Sequence, residues 1–557
     1  MGIPAAFTLS DAEKAAFNKF QPSHSTVFRF PDSGVIRHVK RRIATTYLGA
    51  SEDQKYDEGS EQQGYLTPHA PIDTYGYDTV FAVHIDEVNR SLAASMGKDI
   101  PTDFHVDGSG GLVSYTMNGI FDKWTVSGGS GALLNMTLHL KSGDLDMGLI
   151  KYKYPQCNPV SLAGVSIVVQ IRLNLLEETI QSEEKKDGSM NDLRMKLERT
   201  TENPSPVKYL EMTGLTMECI PEADREAVVS QVEAFVMSGV SDWVMTHADD
   251  ITFIFTKVRL SSKLAEDGFD WMTPTSTSYA YVDRADDEGG NRSMLGVLNL
   301  TDNKDGSSLA QQISPHSIPG DSPAAFLLSR EMVMTKILKP SLGAAFEGAT
   351  EGDFVYDPKS FTVTATKSLT GKQVEDENGK KYTPRFTFFQ VSFVSGAIQI
   401  DSKTEFNISL GITGHARSTV KYQYILKEGT QEIILSKDHE LTADYWCEVS
   451  PGAIGLAAGL AVFATCVGAV LMVAGGAGVV VALALSAVLC AGLSATGLAI
   501  AAAVGKGQAH DQLTANELVN QAILPFDWTG AEKDMKLSDV KVYECLQLVG
   551  DPSFMKG

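Results

Sequence analysis

Few residues in this chain have types and spacing that suggest chemistry. Gly128-Gly129-Ser130-Gly131 sets a serine among glycines. A nucleophile elbow has the form GxSxG, and the position that must be glycine is Ala132, so the stretch reads as a tight turn that needs small residues. No GxxxxGK[ST] phosphate cradle and no HExxH zinc helix occurs anywhere in the sequence. Residues 283–291 (DRADDEGGN) and 301–306 (TDNKDG) gather carboxylates beside glycines. Calcium favours such oxygen donors, but the spacing fits no EF-hand loop and lacks the glutamate at the twelfth position. Solvated hairpin loops are the expected reading, with a metal site as the alternative. His84 stands alone beside apolar residues and reads as a satisfied, partly buried side chain rather than a ligand or base. No catalytic residue, metal or cofactor is expected, and the chain is not expected to be an enzyme.

The remaining candidates would bind rather than react. Trp271, Tyr279 and Tyr281 could touch an apolar ligand, with ordinary core packing as the competing reading. Phe81, His84, Val88 and Leu92 on one segment, and Phe326 and Met334 on another, complete the tentative lining.

The elements that would position them follow from periodicity. In residues 73–96, Phe81, Ile85, Val88 and Leu92 recur at helical spacing, and Asp78 is placed to cap that helix. Met136, Leu138 and Leu140 alternate with polar neighbours, as do Val165, Ile167, Val169, Ile171, Leu173 and Leu175, and later Phe406, Ile408, Leu410 and Ile412. These read as long antiparallel strands with one buried face. Val228, Val229, Val232, Phe235 and Val236 mark a helix. A further helix is expected over 322–339, with Ser322 as N-cap, Pro323 in the first turn and Pro340 at its end. It is apolar nearly all round and must be enclosed. The expected class is α+β, long curved antiparallel sheets wrapped around long helices. Ser10-Asp11-Ala12-Glu13 forms a capping box, and 51–64 is a polar linker.

The 557 residues carry a net charge of −22, which repels nucleic-acid phosphates and anionic lipid surfaces alike. RHVKRR at 37–42 is a local basic exception. The six cysteines show no CxxC spacing and no dense disulfide framework, so a reducing compartment is expected. No signal peptide is visible, and the expectation is cytoplasmic synthesis with membrane association or export by a non-classical route. The uncharged run 449–505 is long enough for two apolar helices turning at Gly475–Gly478. It is expected to dock on the body, pair in an oligomer or enter a membrane.

Several phrases resemble one family. TYGYDTVFAVHIDEVNRSL, GIFDKWTVSGGSG, ITFIFTKVRL with FDWMTPTSTSYAYVD, MLGVLNLT, AAFLLSREMVMTKILKP and ILPFDWTG are similar to segments of the clostridial neurotoxin-cluster P-forty-seven and OrfX-type proteins. The resemblance runs from about Asp73 to Gly550. It implies the tubular lipid-binding (TULIP) fold, in which a curved sheet wraps a long helix around an apolar groove. The expected organisation is an extension over 1–70, a TULIP-like body over 71–448, an apolar helical hairpin over 449–505 and a returning segment over 506–557. The expected function is binding of a lipid or other apolar small molecule, with delivery to a membrane or protein partner. The alternatives are a membrane-active effector or toxin-accessory protein whose hairpin inserts, and an unusual enzyme acting on a hydrophobic substrate. A homo-oligomer is compatible with each, and no nucleic-acid partner is expected.

Overall fold

Long strands with a single apolar face cannot stand alone, and here they assemble into large antiparallel sheets. The structure, a computed structural model, describes residues 35–46, 72–172 except 99, 111 and 112, 174–176, 194–196, 207–247, 257–258, 271, 274–283, 292–371 except 321, 374–375, 381–426 except 395, 410 and 411, 433–435, 438–449, 526–527 and 536–551. The capping box at Ser10, the polar stretch 51–64 and the apolar run beyond Val449 lie outside the described residues. The chain divides into two compact units, one of 68–329 with 516–540 and 545–557, the other of 1–67, 330–515 and 541–544.

The first unit holds two six-stranded sheets. One orders Val207–Thr213, Ser166–Arg172, Leu133–Met147, Val113–Ser130 and Asp103–Gly110, with the short Val160–Ser161 beside Leu133–Met147. As its alternation requires, Met136, Leu138, Leu140, Val165, Ile167, Val169 and Ile171 are buried. Register shifts at Ile120/Phe121, Phe121/Lys123 and Val126/Gly128 bend the 18-residue strand Val113–Ser130. Asn89 fits one shift, accepting from Val126 N–H at 2.7 Å and donating to Val126 O at 3.2 Å. The helix Glu222–Thr246 buries Val228, Val232, Val236, Val240 and Val244 on one stripe. Trp243 meets Phe104 at 5.8 Å and Phe121 at 5.6 Å. At Gly239 an added Cβ would stand 2.7 Å from the flexible end of Met117 and 3.3 Å from the Tyr115 hydroxyl, so the helix lies close against its sheet here.

The other sheet of this unit orders Ser276–Val282, Met294–Leu300, Thr79–His84, Ala324–Ser329, Cys545–Asp551 and Lys536–Val542. Two expectations are corrected here. The segment read as one helix from Asp78 is a strand, Thr79–His84, followed by the helix Ile85–Ser95. The segment 322–339 likewise opens as a strand, Ala324–Ser329. Both strands are buried on both faces, so no period-two alternation marks them.

The second unit carries a nine-stranded sheet. Its path runs Val35–Thr46, Asp438–Val449, Ile412–Tyr422, Ala397–Ser409, Arg385–Val394, Thr362–Ala365 and Phe354–Asp357. Phe346–Glu347 and Leu369–Gly371 extend it beside Arg385–Val394. Phe346, Phe354, Phe386 and Phe389 interlock with ring centroids 4.8 to 6.5 Å apart. The helical run starts at Arg330, not Ser322, and does not end at Pro340. It passes through a π-helix, Val333–Leu338, into Lys339–Ala345. Lys339 N–H bonds Met334 O five residues back. This wider turn precedes the proline and admits it where an α-helix would be blocked.

The expectation of reduced cysteines does not hold for Cys157 and Cys219, which form a disulfide across a separation of 62 residues. Cysteines so far apart carry no local sequence signal. For a loop of this size the bond is expected to contribute about 4 kcal/mol. Cys157→Ser should lower the denaturation midpoint and raise the denaturant slope, because the unfolded chain without the cross-link is more expanded and exposes more surface. Equal midpoints in oxidising and reducing buffer would show that the bond contributes nothing.

Candidate functional site

The residues first suspected of lining a ligand site divide among three places. Tyr279, Val297, Phe81, Phe326 and Leu548 are register partners across five strands and therefore share one face. The row above is Tyr281, Leu295, Val83, Ala324 and Gly550, and the row below is Thr277, Asn299, Thr79, Leu328 and Leu546. Phe81, Tyr279 and Phe326 present essentially no surface that water could touch. Val88 and Leu92 are likewise fully buried on the helix Ile85–Ser95. His84 closes the strand and precedes that helix, its N–H bonded to Pro323 O at 2.9 Å. Trp271 is half-buried in a separate turn. Met334 is fully buried in the π-helix of the other unit.

On the opposite face of this sheet one row is built mostly from small residues. Ala280, Gly296, Ala82, Ala325 and Val549 pair across it. A Cβ on Gly296 would stand 2.7 Å from Ile313 Cδ1, so the connection after Met294–Leu300 lies directly on this row. Its start is fixed by Asp78, whose carboxylate accepts from Thr301 N–H at 2.8 Å, the Thr301 hydroxyl at 2.9 Å and Lys304 Nζ at 2.6 Å. Asp78 is therefore not a helix cap but a buried clasp on the TDNKDG turn. Asp302 and Asn303 at that turn adopt left-handed φ of 55° and 56°, a conformation that Asx residues tolerate. Among the described residues no group of three metal-ligating side chains converges.

A different site emerges on the nine-stranded sheet. Ile398, Ile400, Ser402, Thr404 and Phe406 share one face of Ala397–Ser409 and are buried. Facing partners include Phe389 and Val391 on one side and Ser418 and Val420 on the other. Ser402 and Ser418 satisfy one another, Oγ to Oγ at 2.8 Å. Thr404 stands one step along the same face, 1% exposed, and its hydroxyl has no hydrogen-bond partner among the described residues. Other buried polar atoms lack partners too, such as Ser95 Oγ and Gln547 Oε1. Thr404 differs in adjoining the Ser402–Ser418 hydroxyl pair on a wall otherwise built of Ile, Val, Phe and Ala416. Such a wall with a few polar groups suits an apolar molecule that has a hydrogen-bonding end. The alternation in TEFNISLGIT marks Phe406 as inward and, two residues earlier, Thr404. Period alone does not reveal that its hydroxyl lacks a partner.

Two measurements test this description. Phe326→Ala should destabilise the protein by about 3–5 kcal/mol, since the site is closely packed, and chemical denaturation reads this directly. A cost below about 1 kcal/mol would mean a loose site rather than a packed one. Tyr281 donates to Asp283 Oδ1 at 2.9 Å, and burial, the dominant cause, pushes its phenol up to about 12. The native state thus holds this proton while the unfolded chain releases it near the ordinary tyrosine value of 10.0. Stability from this group is complete below that value and is lost as pH rises toward about 12. Tyr356 is likewise pushed up to about 12 by burial, so alkaline denaturation followed by phenolate absorbance should show these two tyrosines ionising late, and Tyr281→Phe should remove one of them.

Comparison with known proteins agrees with this architecture. Protein OrfX3 of Paraclostridium bifermentans is 25% identical over 395 residues, covering 64% of this chain and 78% of that protein. Protein OrfX3 of Clostridium botulinum (strain Kyoto / Type A2) is 24% identical over 370 residues, covering 63% and 73%. The structure of P47 from Clostridium botulinum A2 aligns with a TM-score of 0.58 at 15% identity, over 87% of this chain and 99% of that one. A family model described as OrfX-like, Protein OrfX2/OrfX3/P47, matches residues 74–550, which takes in nearly every strand described above, and the chain belongs to that family.

Proposed function

We propose that the protein binds an apolar small molecule with a polar end, a lipid in the first instance, against the inner face of its nine-stranded sheet. The observation that carries this reading is the unpartnered, buried hydroxyl of Thr404 beside the Ser402–Ser418 pair. Leaving a buried hydroxyl without a partner costs about 1–3 kcal/mol. A bound headgroup, ester or carboxyl would offset that cost. The resemblance to tubular lipid-binding proteins supports the same reading. So does the helical run 330–345, which buries Met332, Val333, Met334, Ile337, Leu338 and Leu342 around most of its circumference. In this reading the protein is a carrier or sequestering protein, not an enzyme.

Organic extraction of the purified protein, followed by mass spectrometry, should yield lipid in near-stoichiometric amount. Thr404→Val keeps the shape and removes the hydroxyl. It should leave stability equal or higher, because an unsatisfied group is gone, while weakening lipid binding by roughly tenfold, the equivalent of one hydrogen bond. An empty extract together with unchanged binding of a fluorescent phospholipid by Thr404→Val would overturn this reading.

A further inference from the structure

At one end of the strand Leu133–Met147 the chain forms a short helix, Gly148–Lys153, and then the turn Pro155–Cys157. Ile150 and Tyr154 point inward and are buried, but Tyr152 is 91% exposed and Leu149 38% exposed. At i and i+3 these two side chains project from the same side of the helix. Large apolar residues so exposed are few among the described residues, the others being Ile120 and Val355.

The projection is braced from several directions. Cys157 is bonded to Cys219, just ahead of the helix Glu222–Thr246. Tyr154 donates its hydroxyl to Asp224 at 2.5 Å. Asn158 accepts from Met147 N–H at 3.0 Å and donates to Asp146 at 2.9 Å. A projection held this firmly loses little conformational freedom on docking.

Its charge is as distinctive as its shape. Residues 148–159, GLIKYKYPQCNP, carry two lysines and no acid in a chain of net charge −22. Lys151 and Lys153 are 67% and 58% exposed, and their nearest carboxylates, Asp146 and Asp224, lie at 3.7 and 3.9 Å. Exposed pairs at such distances hold weakly, so both ammonium groups can turn to a stronger anion. A tyrosine and a leucine flanked by lysines form the composition that suits a lipid headgroup region, the ring and leucine entering it while the ammonium groups meet phosphate.

We propose that this tip is where the protein docks on a membrane surface bearing anionic phospholipid headgroups. The inference deepens the lipid-binding reading, since a lipid carrier has to meet a bilayer to load or unload. The test is co-flotation of the full-length protein with vesicles of equal parts phosphatidylcholine and phosphatidylglycerol. Wild type should float, and Leu149→Ser combined with Tyr152→Ser should lower its partition by at least about tenfold. Tyr152→Trp should retain binding and show fluorescence quenching by brominated lipid. Ile120→Ser, at an exposed apolar residue elsewhere, should change nothing. Circular dichroism confirms the fold of each variant. Failure of wild type to float, or equal flotation of wild type and the double variant, overturns the proposal whether or not lipid is extracted from the protein. Loss of flotation with extractable lipid unchanged supports it. Tip-dependent flotation of a protein whose organic extract is empty supports docking and strikes instead at the carrier reading.

Discussion

The strand Thr79–His84 is paired along both edges and covered on both faces, and much of the first unit exists to meet that condition. Met294–Leu300 takes one edge and Ala324–Ser329 the other. One face must be filled with bulk, and Phe81 with its register partners Tyr279 and Phe326 supplies it. The other face must admit a covering loop, which explains Ala82, Ala280, Gly296 and Ala325 in one row. Asp78, immediately before the strand, holds the start of that loop through Thr301 and Lys304. A buried carboxylate is stable only with such partners. The left-handed pair Tyr75 and Gly76, with φ of 52° and 89°, turns the chain so that Tyr77 and Asp78 both enter the interior.

Legibility from sequence followed burial. Strands with one wet face kept their period of two, so Met136–Leu138–Leu140 and Val165 to Ile171 could be read correctly. The stripe of Val228, Val232 and Val236 announced its helix in the same way. Where both faces are dry the period vanishes. FAVHIDEVNRSL and AAFLLSREMVMTKIL then look like uninterrupted amphipathic or apolar helices, although each is a strand running straight into a helix. Ala, Leu and Phe favour helix intrinsically or tolerate it, and tertiary pairing overrode that preference. Pro340 misled for a related reason. It stops an α-helix, but a π-turn before it shifts the bonding and lets the run continue. Residue contacts across long separations, such as Cys157 with Cys219, or Asp78 with Lys304, had no local mark at all.

Two rows of buried polar groups, one in each unit, are used differently. In the first unit the row Thr277, Asn299 and Thr79 is closed on itself. The Thr277 hydroxyl donates to Asn299 at 2.8 Å, and the Asn299 amide donates to the Thr79 hydroxyl at 3.1 Å. Such a relay pins strand register, because a slip of one residue would strand each group in the apolar interior. Its polarity is fully explained by the fold.

The nine-stranded sheet offers no such explanation for Thr404. Ser402 finds Ser418 directly opposite, but the register partner of Thr404 is Ala416, which has no polar side-chain atom to offer. Valine has nearly the same shape, favours strands equally and would avoid burying a hydroxyl. Folding alone therefore argues for valine at this position. A threonine there gains a use if something other than the described sheet meets its hydroxyl. In the proposed reading a ligand does so, and the wall around it, Ile400, Phe406, Phe389 and Val420, suits a molecule mostly apolar with one polar contact. Both faces are equally buried, and what separates this one from the Phe81 row is the hydroxyl: beside Phe81 the relay Thr277–Asn299–Thr79 is paired, whereas the Thr404 hydroxyl has no partner among the described residues.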